Sequence, residues 1–155
     1  MEIERKFIPL SLPQDLEKYR KKEIAQAYLC TAPVVRIRKS NDDYYLTYKS
    51  GGMMARQEVE VPLTRESFFH MLPKADGRII EKTRYLIPLE EGLTAELDLF
   101  HGDLAGLRLV EVEFPTEEAA TTWQAPAWFG ADVTYDGRYH NSYMCMADDL
   151  SDILK

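Results

Sequence analysis

The sequence predicts an α+β fold: an eight-stranded antiparallel β-barrel with charged side chains inside and a few helices covering the outside. Three observations predict it. Segments with strict period-two alternation recur along most of the 155 residues, and the breaks between them are short and rich in turn formers. The charged faces of these segments carry like charges in pairs, acid beside acid and base beside base.

The elements follow in order. EIERKF (2–7) places Glu2, Glu4 and Lys6 on one face and Ile3, Arg5 and Phe7 on the other. PQDLEKYRK (13–21) reads as a helix, with Pro13 suited to its first turn. IAQAYL (24–29), VVRIRK (34–39) and YYLTYK (44–49) are the next strands, with SNDD (40–43) and SGG (50–52) supplying turn chemistry. RQEVEV (56–61) is the fifth strand. RESFFHML (65–72) is helical, with Thr64 as N-cap. ADG (75–77) and EEG (90–92) are read as turns on either side of IIEKTRYL (79–86), and TAELDLF (94–100) and LRLVEVEF (107–114) complete the strands. TEEAATTWQ (116–124) and a final stretch from about His140 into DDLSDIL are the remaining helices. Eight is an even number, suited to an antiparallel barrel. With no internal repeat and no long linker, residues 1–155 are expected to form one domain.

Composition narrows the function. A net charge of −7 argues against nonspecific nucleic-acid binding, which relies on a basic surface. It leaves open a polyanion held inside by gathered bases. No run approaches the roughly 20 apolar residues of a membrane span. The opening residues carry charge at once rather than an apolar leader. Cys30 and Cys145 lack metal-ligand spacing and suggest a reducing compartment. A cytoplasmic protein without membrane or nucleic-acid partners is expected, as a monomer or homodimer.

The charged faces carry the chemistry. They read Glu2, Glu4 and Lys6; Arg36 and Arg38; Lys49; Glu58 and Glu60; Lys82 and Arg84; Glu96 and Asp98; Glu111 and Glu113. A wet antiparallel face would account for any single strand. Like charges on one strand, however, are unfavourable unless opposite charges lie nearby, and the alternate positions are mostly apolar β-formers. Together the strands imply an inverted barrel, with charges inside and apolar residues outside beneath helices. Buried charges must then neutralise one another or meet ligands. Clustered Arg and Lys suit phosphate oxygens, and clustered carboxylates suit a hard cation such as Mg²⁺ or Mn²⁺. The implied ligand is a metal-bound polyphosphate.

EIERKF, VRIR, LTYKS, RQEVEV, EKTRY, ELDLF, LVEVEF and the late VTYDGRYHN together resemble the CYTH domain of the triphosphate tunnel metalloenzymes, and the length resembles the short bacterial inorganic triphosphatases of that family. The resemblance implies an eight-stranded tunnel that binds a linear triphosphate along its axis. It implies that Glu2, Glu4 and Glu113 hold Mg²⁺ or Mn²⁺ with Glu111 nearby, and that Asp98 contributes to a second metal site. It assigns Lys6, Arg36, Arg38, Lys49, Lys82 and Arg84 to the phosphates, with Glu58, Glu60, Glu96 and Asp98 orienting those bases. It pairs Lys6 with Tyr28 in catalysis. Apart from the resemblance, Lys6 among Arg and Lys neighbours is a candidate base toward the attacking water, with Glu2 and Glu4 on the same face as the counterweight. The expected activity is hydrolysis of inorganic triphosphate to phosphate and diphosphate. Nucleoside or thiamine triphosphate hydrolysis and an adenylate cyclase activity are the alternatives on this fold, with a noncatalytic polyphosphate-binding module as the non-enzyme reading.

Other residues read as structural. His70, His101 and His140 lack zinc-site spacing. Trp123, Trp128 and Phe129 look like an aromatic anchor pinning a loop to the barrel, and neither cysteine has a nucleophile's neighbours.

Overall fold

A computed structural model describes residues 1–154. Its strands are β1 (Glu2–Pro9), β2 (Arg20–Thr31), β3 (Val34–Ser40), β4 (Asp43–Lys49), β5 (Ala55–Arg56), β6 (Glu58–Pro62), β7 (Asp76–Pro88), β8 (Thr94–Phe100), β9 (Arg108–Glu113) and β10 (Phe129–Asp132). The helices are α1 (Arg65–Met71), α2 (Glu117–Thr122) and α3 (Asn141–Met144). Hydrogen-bonded neighbours run β10-β1-β9-β8-β7-β2-β3-β4-β6, and β5 pairs with β1. All the paired strands are antiparallel.

The two short segments β5 and β6 are one stave broken at Gln57, and they close the barrel. β6 pairs with β4 through Lys49↔Glu58 and Thr47↔Glu60, while β5 pairs with β1 through Glu2↔Arg56. The expected eight staves are therefore all present, with β10 as a ninth strand. β1 can serve both because its free edge is divided: residues 2–3 pair with β5, whereas Phe7 and Pro9 pair with β10.

The inverted pattern holds. On the outer faces of β1, β8 and β9, Ile3, Phe7, Ala95, Leu97, Val110 and Val112 are buried against Phe114, Ala120 and Phe129. Trp123 packs edge-on to Phe7, Phe114 and Phe129 at centroid distances of 6.1, 5.4 and 5.5 Å, so the aromatic anchor is as expected. On the other side, α1 buries Phe68 against Ala27 and Ile37. Thr64 caps α1, its hydroxyl accepting from Ser67 N–H at 3.0 Å. Thr116 caps α2 the same way through Ala119 N–H, with Glu117 and Glu118 in the first turn complementing the helix dipole.

Three local expectations fail. Residues 13–21 are not a helix: only a 3-10 turn forms at Leu16–Lys18, Asp15 is left-handed (φ 56°), and Arg20 already begins β2. Sheet pairing as far as Arg20↔Leu86 claims the backbone that a helix would need, while Leu12, Leu16 and Tyr19 pack onto the outer apolar layer as a crossing loop. ADG is not a free turn but the start of β7, with Gly77 at φ 71°. A Cβ there would collide with the Cys145 carbonyl oxygen, so only glycine allows this approach. The last helix is a single turn, α3, preceded by a 3-10 turn at Gly137–Tyr139.

That C-terminal segment stoppers one end of the barrel. Tyr139, Met144, Cys145 and Ile153 pack with the inward-facing Tyr28, Val34, Ile80, Phe100 and Leu109 into one buried cluster. Arg78 anchors it from β7, its N–H donating to the Cys145 carbonyl at 2.8 Å and its guanidinium to the Met144 carbonyl. The charged interior thus ends on an apolar floor. Among the described residues, no helix is long and apolar enough to cross a membrane.

Candidate active site

Above the floor the inward faces enclose a cavity of about 290 Å³. Glu2, Glu4 and Lys6 enter it from β1, Tyr28 from β2, Arg36 and Arg38 from β3, and Lys49 from β4. Glu58 and Glu60 come from β6, Arg84 from β7, Glu96 from β8, and Glu111 and Glu113 from β9. Of the residues expected to hold substrate or metal, Lys82 and Asp98 do not line it.

The basic side centres on β3 and β7. Arg38 Nε and Nη2 both donate to Gln26 Oε1, at 2.8 and 2.6 Å. Burial, aided by the neighbouring Arg36 and Arg84, pulls the Arg38 guanidinium down to about 9. Arg36 donates through Nη2 to the Thr47 hydroxyl at 3.2 Å, but its buried Nε has no hydrogen-bond acceptor among the described residues. A buried charged donor without a partner is costly. Arg84 is the satisfied member: burial opposes its charge, yet Asp98 and Glu96 hold it firmly protonated. Its fork donates to both Asp98 oxygens at 2.8 and 2.9 Å.

The acidic side centres on β1 and β9, where Glu4↔Glu113 and Lys6↔Glu111 are cross-strand pairs. Burial pushes the Glu4 carboxyl up to about 8, with Glu111 and Glu2 adding repulsion. Arg56 relieves it only weakly, at 3.7 Å. Glu2 is raised by burial despite Lys49, which donates to it at 2.7 Å. Glu113 is raised by burial and by Glu2 and Glu96, and forms no ion pair among the described residues. These are oxygen donors whose charged forms burial and mutual repulsion disfavour, and a hard divalent cation is the partner that would favour them. No three such side chains converge into a ready ligand set among the described residues, since most acids lean on a base instead.

At the floor, Lys6 Nζ donates to the Tyr139 carbonyl at 2.9 Å and lies 3.5 Å from Glu111. The Tyr28 hydroxyl accepts from Gln26 Nε2 at 3.3 Å, so the two residues expected to act together face one cavity with separate hydrogen-bond partners. Deeper still, Lys82 is fully buried with Asp98 at 2.8 Å and Asn141 Oδ1 at 3.2 Å. Burial pulls its ammonium down to about 7 against the attraction of Asp98. Burial opposes the Asp98 charge as well, but Arg84 and Lys82 outweigh it and lower its pKa.

Several lining residues escape the sequence reading. Lys22 and Arg56 both face the cavity. Both signals were available: Lys22 shares parity with Tyr28, and Arg56 with Glu58 and Glu60. His140 and Asn141, on the stopper, also line it, and no sequence spacing marks them.

The chain is similar to known proteins over most of its length. Residues 1–132 match the CYTH domain model. An inorganic triphosphatase of Nitrosomonas europaea is 40% identical over 149 residues, covering 94% of this chain and 97% of that protein. An inorganic triphosphatase of Acetivibrio thermocellus is 39% identical over 113 residues, covering 70% of this chain and 69% of that protein. A crystal structure of an inorganic triphosphatase superposes with a TM-score of 0.70 at 38% identity, covering 95% of both chains. With the charged inner faces, the apolar outer faces and the matched residues in agreement, the chain belongs to the CYTH domain family.

Proposed function

We propose that the protein hydrolyses inorganic triphosphate to phosphate and diphosphate with Mg²⁺ or Mn²⁺. One observation carries this reading: a single cavity holds both an Arg cluster with an unfilled buried donor, Arg36 Nε, and a carboxyl cluster, Glu2, Glu4 and Glu113, whose charged forms burial disfavours. An anion alone would meet the first need, and a cation alone the second. A metal-bound triphosphate meets both, and the named activity of the two relatives supports it.

The residues divide the work. Arg36, Arg38, Lys49 and Arg84 would neutralise the phosphoryl oxygens, with Arg offering paired donors in a planar fork, and Lys6 would contact them as a hydrogen-bond donor. Glu2, Glu4 and Glu113 would hold the cation, with Glu111 beside them; Glu2 would then release Lys49, and Glu4 would release Arg56, to phosphate. When bound, the cation supplies Lewis-acid neutralisation of phosphoryl charge. Lys82 and Asp98 would act from behind, fixing Arg84, and Glu58, Glu60 and Glu96 would steady the bases near the rim. Water attacks the terminal phosphorus in line, the bridging P–O bond breaks, and its electron pair leaves on diphosphate. Lys6 is the candidate acceptor for the water's proton; it would act as the free amine, its own ammonium proton having passed to solvent once substrate displaces its contacts with Tyr139 and Glu111.

Phosphate release should be measured from inorganic triphosphate, ATP and thiamine triphosphate with Mg²⁺, Mn²⁺ or EDTA, alongside cyclic AMP from ATP. The expected result is metal-dependent release, fastest with inorganic triphosphate and lost in EDTA. Tight binding of triphosphate with no turnover of any substrate would sink the enzyme reading, and cyclic AMP production would promote the cyclase.

A further inference from the structure

Gln26 lies behind the reacting face, fully buried on β2 between Arg38 across the strand pair and Tyr28 two residues along. Its amide cannot be turned around. Oε1 already receives both the Nε and the Nη2 of Arg38, and a reversed amide would set its NH₂ against that guanidinium. Nε2 is therefore the group that meets the Tyr28 hydroxyl, and it meets it as a donor. A phenol oxygen that accepts from an amide has its O–H left to give elsewhere. Tyr28 lines the cavity, so that direction includes the cavity.

We propose that Gln26 is a positioning residue that fixes the polarity of the Tyr28 hydroxyl, filling its acceptor role so that its O–H donates to a phosphoryl oxygen. The inference rests on the triphosphate reading above and deepens it. It makes Tyr28 a neutral donor rather than a base, and it ties that donor mechanically to Arg38 through one amide. A shift of Arg38 onto phosphate would draw on Gln26 and hence on Tyr28, so the two contacts with substrate are set together.

Gln26→Glu tests this. A carboxylate still accepts from Arg38, so the guanidinium stays anchored, but it cannot donate to Tyr28 and instead accepts a hydrogen bond from its hydroxyl, turning the O–H away from substrate. With triphosphate and Mg²⁺, kcat of Gln26→Glu should fall about tenfold, the size of one lost hydrogen bond. Its KM should change by less than about threefold, and Tyr28→Phe should behave alike. The double variant should be no worse than Tyr28→Phe alone, and all three should melt within a few degrees of wild type. Additive losses in the double variant, or wild-type kcat in Gln26→Glu, would overturn the inference. If wild type binds triphosphate without turning it over, the enzyme reading fails separately. The same cycle read as Kd by calorimetry then decides Gln26, with non-additive losses supporting it and additive ones overturning it.

Discussion

Arg36→Met separates binding function from structural support, because the two make opposite predictions. Arg36 is only 7% exposed, its Nε has no acceptor among the described residues, and it adds to the repulsion that lowers Arg38. An unmet buried donor costs about 1–3 kcal/mol. A methionine of similar length removes that cost and one of several like charges, and Thr47, though it loses Arg36, keeps its 3.1 Å bond to Glu60. Without ligand, the variant should therefore gain about 1–2 kcal/mol, after allowance for the lost Thr47 contact. Ligand binding should move the other way. A charge-assisted hydrogen bond contributes about 1.5–3 kcal/mol, so triphosphate affinity should weaken about 10- to 150-fold. Urea unfolding followed by the fluorescence of Trp123 and Trp128 gives the first quantity, and calorimetric titration with triphosphate gives the second. A variant that is less stable without ligand and binds triphosphate normally would refute the reasoning, because the guanidinium would then be a structural part.

Three further outcomes follow from the same geometry. The Glu4 carboxyl is raised to about 8 in the fold against 4.5 in the open chain, so the fold keeps a proton there that the unfolded chain has lost. Unliganded stability is full below pH 4.5 and falls as pH rises toward 8. Glu4→Gln should thus be more stable than wild type by up to about 4 kcal/mol at pH 8 in EDTA, with little difference near pH 4.5. An equal difference at both pH values would refute the linkage. Asp98→Asn leaves the Lys82 and Arg84 charges without their carboxylate and should destabilise by about 3–5 kcal/mol, read as a lowered urea midpoint; an unchanged midpoint would show that the network is dispensable. Lys6→Ala should lose turnover by at least about 100-fold, the lower range of general acid–base contributions, at saturating triphosphate and metal, and near-normal turnover would end its candidacy as the base.

Alternation legible in the sequence gives the face of a side chain but not its depth. Parity alone places Glu2, Glu4, Lys6, Arg36, Arg38 and Glu111 inward, and all six line the cavity. Lys82 and Asp98 obey the same parity yet lie below it, because depth along the axis depends on the stagger of neighbouring strands. Lys22 was obscured for a different reason: polar residues 13–21 have helix-like spacing, and only the long pairing of β2 with β7 carries the strand back to Arg20. The division of β1's edge between β5 and β10 was equally hidden, since no local pattern in EIERKF announces two partners. His140 reaches the cavity through the folded stopper, whose seat at Gly77 is made by contacts with residues more than sixty positions away.

The apolar floor would also govern traffic in the proposed reaction. A barrel open at both ends would let two products leave by separate doors, whereas a well with one mouth makes them queue. In the proposed hydrolysis, the fragment nearer Tyr139 and Asn141 would depart only after the fragment nearer the rim had gone. Release would then be ordered by geometry rather than by affinity, and inhibition by the two products should differ in kind, the inner one competing with substrate for the empty well.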